Sequence, residues 1–240
     1  MIAPSPLPET EPPLDCPLCP RLAAARAENR AAHPNWWNAP VPALGDVQAR
    51  IVIIGSAPAR QGANRTGKMF VGDDGGERLY AALAKFGFVE PVLEEADPAA
   101  EEGQAEAEPA LRGVMLLSAV RCAPPQGKLL PEEIRTCRTF LNQSVEALPQ
   151  AHVFVALGQT AHQSAVKTLG GRLPKARFAQ GGEHRMPDGR MLLDSHACSG
   201  SNLKSGLLTL EAFEAVLARA VELAAMPDAS GGHVLDPTAE

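Results

Sequence analysis

The segment IVIIGSAPARQGANRTGKMFVGDDGG covers residues 51–76. It opens with four apolar, mostly β-branched residues in a row, Ile51-Val52-Ile53-Ile54, and passes straight into a loop of glycine and small residues. A short run that is apolar at every position reads as a strand buried on both faces, the condition of a parallel strand with helices above and below it. Inside the loop, Gly62, Gly67 and Lys68 stand at the spacing of a phosphate-binding P-loop. Two features argue against that reading. A P-loop needs Ser or Thr after its lysine to hold Mg²⁺, and this chain has Met69. A P-loop glycine also follows its strand almost directly, whereas seven residues separate Ile54 from Gly62. No nucleoside triphosphate is therefore expected as a partner, and the loop must serve something else.

Three further apolar runs, 114–117, 153–157 and 191–193, repeat the pattern of 51–54. Helix-like stretches at 77–86, 131–147, 160–169 and 208–224 fall between and after them, and Pro131 with Glu132 and Glu133 makes a helix start. The alternation predicts an α/β domain with a central parallel sheet covered on both faces. Ligands of such folds bind beyond the carboxyl ends of the strands. Those ends carry the polar and glycine-rich segments from Gly55 onward, 118–125, Gly158 and 194–202.

At 240 residues the chain suits a single domain over 13–225. Residues 1–12, rich in Pro and Glu, and 226–240, small and polar, read as disordered tails. No apolar run reaches the length of a membrane span and no basic n-region precedes an apolar signal core, so a cytoplasmic protein without membrane contact is expected. The formal charge of −6 is unevenly placed, because residues 90–108 hold eight acids and no Lys or Arg. That segment reads as a solvated insertion, and without it the rest of the chain stands at +2, compatible with a phosphate-bearing partner. An odd count of five cysteines disfavours disulfides. Cys16 and Cys19 form a C-x-x-C pair, the spacing that lets one turn aim two sulfurs at one metal, and Cys122 and Cys137 are the candidates to complete the set. Spacing alone leaves Zn²⁺ and an iron–sulfur cluster both open.

Several blocks together carry a family resemblance. Gly55-Ser56-Ala57-Pro58-Ala59 followed by Gly62 to Asp73, then Val120-Arg121-Cys122-Ala123-Pro124-Pro125 with Pro131-Glu132-Glu133-Ile134 and Cys137, then Ala156-Leu157-Gly158, and finally His196, Asn202 and Gly206-Leu207-Leu208-Thr209, resemble the motifs of the family 5 (type B) uracil-DNA glycosylases. The resemblance implies a three-layer α/β/α sandwich around a four-stranded parallel sheet. It also implies a [4Fe–4S] cluster held by Cys16, Cys19, Cys122 and Cys137, with Cys198 left out.

The chemistry implied is hydrolysis of the N-glycosidic bond of uracil, and of other deaminated bases such as hypoxanthine or xanthine, in DNA, with a monomeric enzyme leaving an abasic site. Such a reaction needs groups that stabilise an oxocarbenium-like sugar and a departing base anion. Asp73 is the residue expected near the sugar, with Asp74 as a cap of the following helix. Phe70 is expected to stack on a flipped base. Backbone N–H groups of Gly55, Ser56 and Ala57 would bond base or phosphate oxygens. His196 would donate to a carbonyl of the leaving base. Ser118 and Asn202 complete the substrate contacts, and Asn64, Arg65, Gly158, Ser199, Ser201, Leu203 and Lys204 are assigned to DNA, Leu203 as a wedge. Trp36 and Trp37 are expected to pack the N-terminal segment.

Two departures bear on substrate choice. Ser118 replaces an Asn amide usual at the end of the second strand, and the third motif carries Ala197 and Cys198 and is one residue longer between His196 and Asn202. They support an alternative, a catalytically weak iron–sulfur module that binds DNA damage. A cluster-based electron carrier is a third reading, carried by the four cysteines alone.

Overall fold

A computed structural model describes residues 5–89 and 110–226; the acidic segment 90–108 and the tail 227–240 lie outside the described residues. Four five-residue strands form the parallel core: β2 (Ile51–Gly55), β3 (Val114–Ser118), β4 (Val153–Leu157) and β6 (Met191–Ser195). They lie in the order β3-β2-β4-β6, with Ile51 level with both Val114 and Val153, and Val153 level with Met191. All residues of β2, β3 and β4 are buried, as their unbroken apolar runs predict.

Alternate residues point to opposite faces and each face has its own helices. Ile51 and Ile53 join α3 (Asp74–Lys85) and α7 (Leu210–Ala225) through Leu79, Leu83, Phe213 and Leu217. Val52 and Ile54 join α4 (Pro131–Glu146) and α5 (Gln159–Thr168) through Leu141, Val145, Ala165 and Val166. The result is the three-layer α/β/α sandwich. The helices begin where their caps require: Thr209 Oγ1 accepts from Ala212 N–H ahead of α7, and Glu133 bonds back to Leu130 N–H in the first turn of α4.

Four elements depart from the sequence reading. The sheet has six strands rather than four, because β1 (Leu44–Gly45) adds antiparallel to β3 and β5 (Glu183–Arg185) adds antiparallel to β6. Both are too short to show periodicity. Helix α1 (Pro20–Ala32) follows the C-x-x-C pair, and its alanine-rich, weakly patterned sequence left it unread. The expectation of a disordered tail over 1–12 is corrected from residue 5 onward. Pro8–Thr10 forms a 3₁₀ turn, Leu7 packs into the α4 and α5 face, and Thr10 Oγ1 lies 3.0 Å from Ser144 Oγ on α4. One buried leucine, worth about 1.5–3 kcal/mol, and proline-stiffened neighbours outweigh a composition that reads as solvated.

Candidate active site

The carboxyl ends of β2, β3, β4 and β6 surround a cavity of about 190 Å³. That is smaller than the ~300–1,000 Å³ of a drug-sized site, and suits one ring system. Its wall includes Gly55, Ala57, Phe70, Asp73, Ser118 and Ala197.

The loop after β2 is built around Phe70 and Asp73. The Phe70 ring lies flat enough on Gly55 that a Cβ there would sit 2.7 Å from its Cζ. At Gly62 a Cβ would fall 2.1 Å from Asp73 Oδ2, so only glycine lets the carboxylate approach the backbone. Phe70 itself takes a left-handed φ of 59°, a conformation uncommon for a bulky residue and found where surrounding structure over-determines it. Thr66 helps to hold that path, its Oγ1 donating to Val71 C=O at 3.1 Å and accepting from Lys68 N–H at 3.2 Å.

Asp73, and not Asp74, caps α3: its Oδ1 accepts from Gly76 N–H at 2.9 Å. The cap occupies Oδ1 and leaves Oδ2 on the Gly62 side, and Asp73 is among the residues of the cavity wall. Asp74 is exposed and pairs with Arg78 at 3.4 Å, so of the two neighbouring acids only Asp73 lines the cavity. Ser118, almost fully buried, donates its hydroxyl to Val120 C=O at 2.9 Å. The hydroxyl proton is thereby committed and the lone pairs remain, so towards the cavity Ser118 is an acceptor.

Other predicted residues frame the cavity. Ala119 N–H donates to Gly55 C=O at 2.8 Å and Val120 N–H to Ser56 C=O at 3.1 Å, which ties the β2 and β3 loops together. Ser56 turns towards Gly158, whose N–H donates to Ser195 C=O at 2.7 Å and joins the ends of β4 and β6. Ser199 reaches the cavity and caps the short helix α6 (Gly200–Lys204), with Ser201 Oγ 3.0 Å from its own Oγ. Lys204 is exposed on that helix.

Several placements correct the sequence reading. His196 is not among the residues lining the cavity; its ring packs edge-on against Phe178, with centroids 5.0 Å apart, and its N–H donates to Gln180 Oε1. The wall on this side is Ala197 and Cys198, because one step along an extended segment turns the side chain to the other face. Asn202 does not reach the cavity: its Nδ2 donates to Ala197 C=O at 2.8 Å and braces the loop. Asn64 is fully buried, donating to Asn38 Oδ1 at 3.0 Å, and Arg65 Nε donates to Gln61 C=O, so Asn64 offers nothing to DNA. Leu203 is half-buried against the core, and the apolar side chain that stands into solvent nearby is Leu207, 51% exposed. Cys198, which the residue types did not mark, donates its thiol to Gly75 C=O at 3.0 Å. Burial pushes its pKa up to about 11, with the Asp73 charge adding to the rise, so it is a neutral donor.

Residues 42–220 match the family model described as the uracil DNA glycosylase superfamily. The chain belongs to that superfamily. Among its relatives, the type-5 uracil-DNA glycosylase of Thermus thermophilus is 40% identical over 217 residues, covering 88% of this chain and 94% of that protein. That of Pyrobaculum aerophilum is 34% identical over 212 residues, covering 86% and 88%, and that of Mycobacterium bovis 38% over 219 residues, covering 87% and 78%.

This superfamily member has a second, much smaller cavity, on whose wall Cys16, Cys19, Cys122 and Cys137 all lie. They arrive from the turn before α1, the loop after β3 and the buried face of α4. Burial raises the thiol pKa of Cys19 and Cys122 and pushes that of Cys137 up to about 12. The surrounding donors favour anionic sulfur nonetheless. Arg26, 4% exposed, donates to Cys122 Sγ at 3.2 Å and to Cys16 C=O at 2.7 Å, while its Nε has no partner. Arg121 N–H donates to Cys137 Sγ at 3.3 Å. A buried guanidinium with no carboxylate on it is costly unless an anion faces it. Thiolates at these cysteines would supply that anion, and thiolates are the form that ligates a metal. Among the described residues the one set of three ligand-type atoms lying within 4.8 Å of one another is His162, His184 and Asp194. Four cysteines with guanidinium and backbone N–H donors on their sulfurs are the residue types that ligate zinc or an iron–sulfur group.

Proposed function

We propose that this chain hydrolyses the N-glycosidic bond of uracil in DNA. The observation that carries the reading is the Asp73 carboxylate, only one oxygen of which is taken by the helix cap, in the wall of a one-ring cavity that Phe70 also lines. A flipped base enters the cavity and stacks on Phe70. Asp73 Oδ2 orients a water and offsets the positive charge that grows on the sugar. The water oxygen bonds to C1′, the C1′–N1 bond breaks with its electron pair passing to the base, and the water gives up its proton by way of Asp73. The base departs with a proton from solvent. Backbone N–H groups of the Gly55 to Ala57 turn and the Ser199 hydroxyl take the part of donors to the base oxygens, since Ala197 supplies none.

Ser118, an acceptor towards the cavity, suits a ring N–H beside a carbonyl. Uracil has that group, and hypoxanthine and xanthine share it, whereas cytosine and adenine present a bare ring nitrogen there and are repelled. Cys16, Cys19, Cys122 and Cys137 would hold a [4Fe–4S] cluster; bound there, it supplies a cross-link between the N-terminal segment, the β3 loop and α4. The enzyme is proposed to act on DNA as a cytoplasmic monomer. No helix among the described residues is long and apolar enough to cross a membrane.

A second reading, a module that binds damage with little catalysis, draws on Ala197 at the position where a side-chain donor would face the base. Single-turnover assays on uracil-, hypoxanthine- and xanthine-containing oligonucleotides, single-stranded and paired, separate the two. Abasic product from uracil that vanishes with Asp73→Asn is expected. Tight binding of the lesion with no product from any of them would favour the module.

A further inference from the structure

The chain is acidic overall, yet residues 167–185 carry Lys167, Arg172, Lys175, Arg177 and Arg185 against one acid, Glu183, a local charge of +4 in a protein of −6. Glu183 is engaged elsewhere, by Arg219 Nε at 2.9 Å. Arg172, Lys175, Arg177 and Arg185 are all exposed, and among the described residues none forms an ion pair, whereas Arg190 and Arg219 close by are each paired with a carboxylate. The four edge two adjoining clefts beside α5. Arg177 lines one with Gln159 and Gln163; Arg172, Lys175 and Arg185 line the other, and Ala176 belongs to both.

This basic segment is held firmly to the wall of the active-site cavity. Phe178 packs on His196, and Gln180 Oε1 accepts from His196 N–H at 2.8 Å, immediately before Ala197 in the cavity wall. Behind it, buried Asp194 on β6 accepts from His162 Nδ1 at 2.7 Å and His184 Nε2 at 2.9 Å, while His162 Nε2 bonds Ala176 C=O at 3.1 Å. Gln159 begins α5 directly after Gly158, so the Arg177 end of the clefts lies at the carboxyl edge of the sheet and the Arg185 end further along α5. Uncompensated cations on a rigid surface, leading away from the site of base flipping, are the pattern of a backbone-phosphate track.

We propose that Arg172, Lys175, Arg177 and Arg185 form an electrostatic track for the phosphates flanking the flipped nucleotide, Arg177 nearest to it. The inference rests on the DNA-glycosylase reading. The track positions DNA without reading sequence or touching the reacting bond.

The test is fluorescence anisotropy of a labelled duplex with a central tetrahydrofuran abasic-site analogue, titrated at several salt concentrations. Each lost phosphate contact lowers the slope of log K against log [salt] by ~0.9. The triple variant Arg172→Gln/Lys175→Gln/Arg177→Gln is expected to lower the slope by about 2–3. Its affinity near 100 mM salt should fall ~10–100-fold, while single-turnover cleavage of uracil-DNA at saturating enzyme stays within about twofold. Arg177→Gln alone should cost more than Arg185→Gln, and Arg190→Gln, whose cation is already paired, should change little. Equal slopes in wild type and triple variant, with unchanged melting temperature, overturn the track while leaving the glycosylase intact. A wild-type protein that neither binds the probe nor cleaves uracil-DNA overturns both.

Discussion

At Asp73 two jobs meet in one carboxylate, and substitution can separate them. Asn caps a helix about as well as Asp, whereas Ala forfeits the cap at a cost of about 1 kcal/mol. Asp73→Asn is therefore expected to lower the single-turnover rate on uracil-DNA by at least ~10²-fold with the urea midpoint nearly unchanged, and Asp73→Ala to lose both rate and stability. Gly55→Ala tests Phe70 from the opposite side. The new methyl would stand 2.7 Å from Cζ and drive the ring off its seat. A tenfold or greater loss of rate with far-UV circular dichroism unchanged is expected; wild-type rate would show that the ring position is not needed. Asp73 and Phe70 were singled out by the motif resemblance, since on residue type alone an Asp after Gly72 reads as a helix cap and a Phe as core. Residue type could not say which way the side chain of His196 turns. Whether His196 or Ala197 faces the cavity is a matter of one step of backbone alternation, which no composition records, and Asn64 and Asn202 look like surface donors until their partners, Asn38 and the Ala197 carbonyl, are known.

Among the elements, β2, β3, β4, β6 and the helices α3, α4, α5 and α7 were legible, since continuous apolar runs and helical stripes both report burial directly. The short strands β1 and β5 were not, because two or three residues carry no period. The seating of α5 on β6 instead depends on buried chemistry. Burial opposes a charged His162, but the hydrogen bond and charge of Asp194, together with the Ala176 carbonyl, prevail and hold its pKa above the ordinary value of 6.5. Both ring nitrogens face acceptors, Asp194 Oδ1 and Ala176 C=O, as an imidazolium requires. A raised folded-state pKa means stability that is complete below about pH 6.5 and lost as pH climbs through the folded value. Melting temperature is expected to fall as the pH is raised above neutrality, and His162→Gln should flatten that part of the profile. An identical profile in the variant would place the pH dependence in other groups.

Over the whole molecule, the N-terminal segment meets α4 and the β3 loop through the bidentate pair of Arg21 with Glu133, through Thr10 beside Ser144, and around the four cysteines at 16, 19, 122 and 137. Cys137→Ser is expected to lower the iron content of the purified protein, weaken its absorbance near ~400 nm and reduce its melting temperature, while zinc in place of iron would show no such band. The flanks of the sheet have a different consequence. Left bare, β3 and β6 would each offer a five-residue row of unpaired amides and carbonyls to any passing chain. Two stubs lie there instead. Leu44–Gly45 follows Pro40 and Pro42, which have no N–H to offer, and Glu183–Arg185 places charge at both of its ends. A neighbouring copy can find only a rung or two on either side before the ladder stops, so the protein is built against self-templated aggregation even while its core strands are almost wholly hydrophobic.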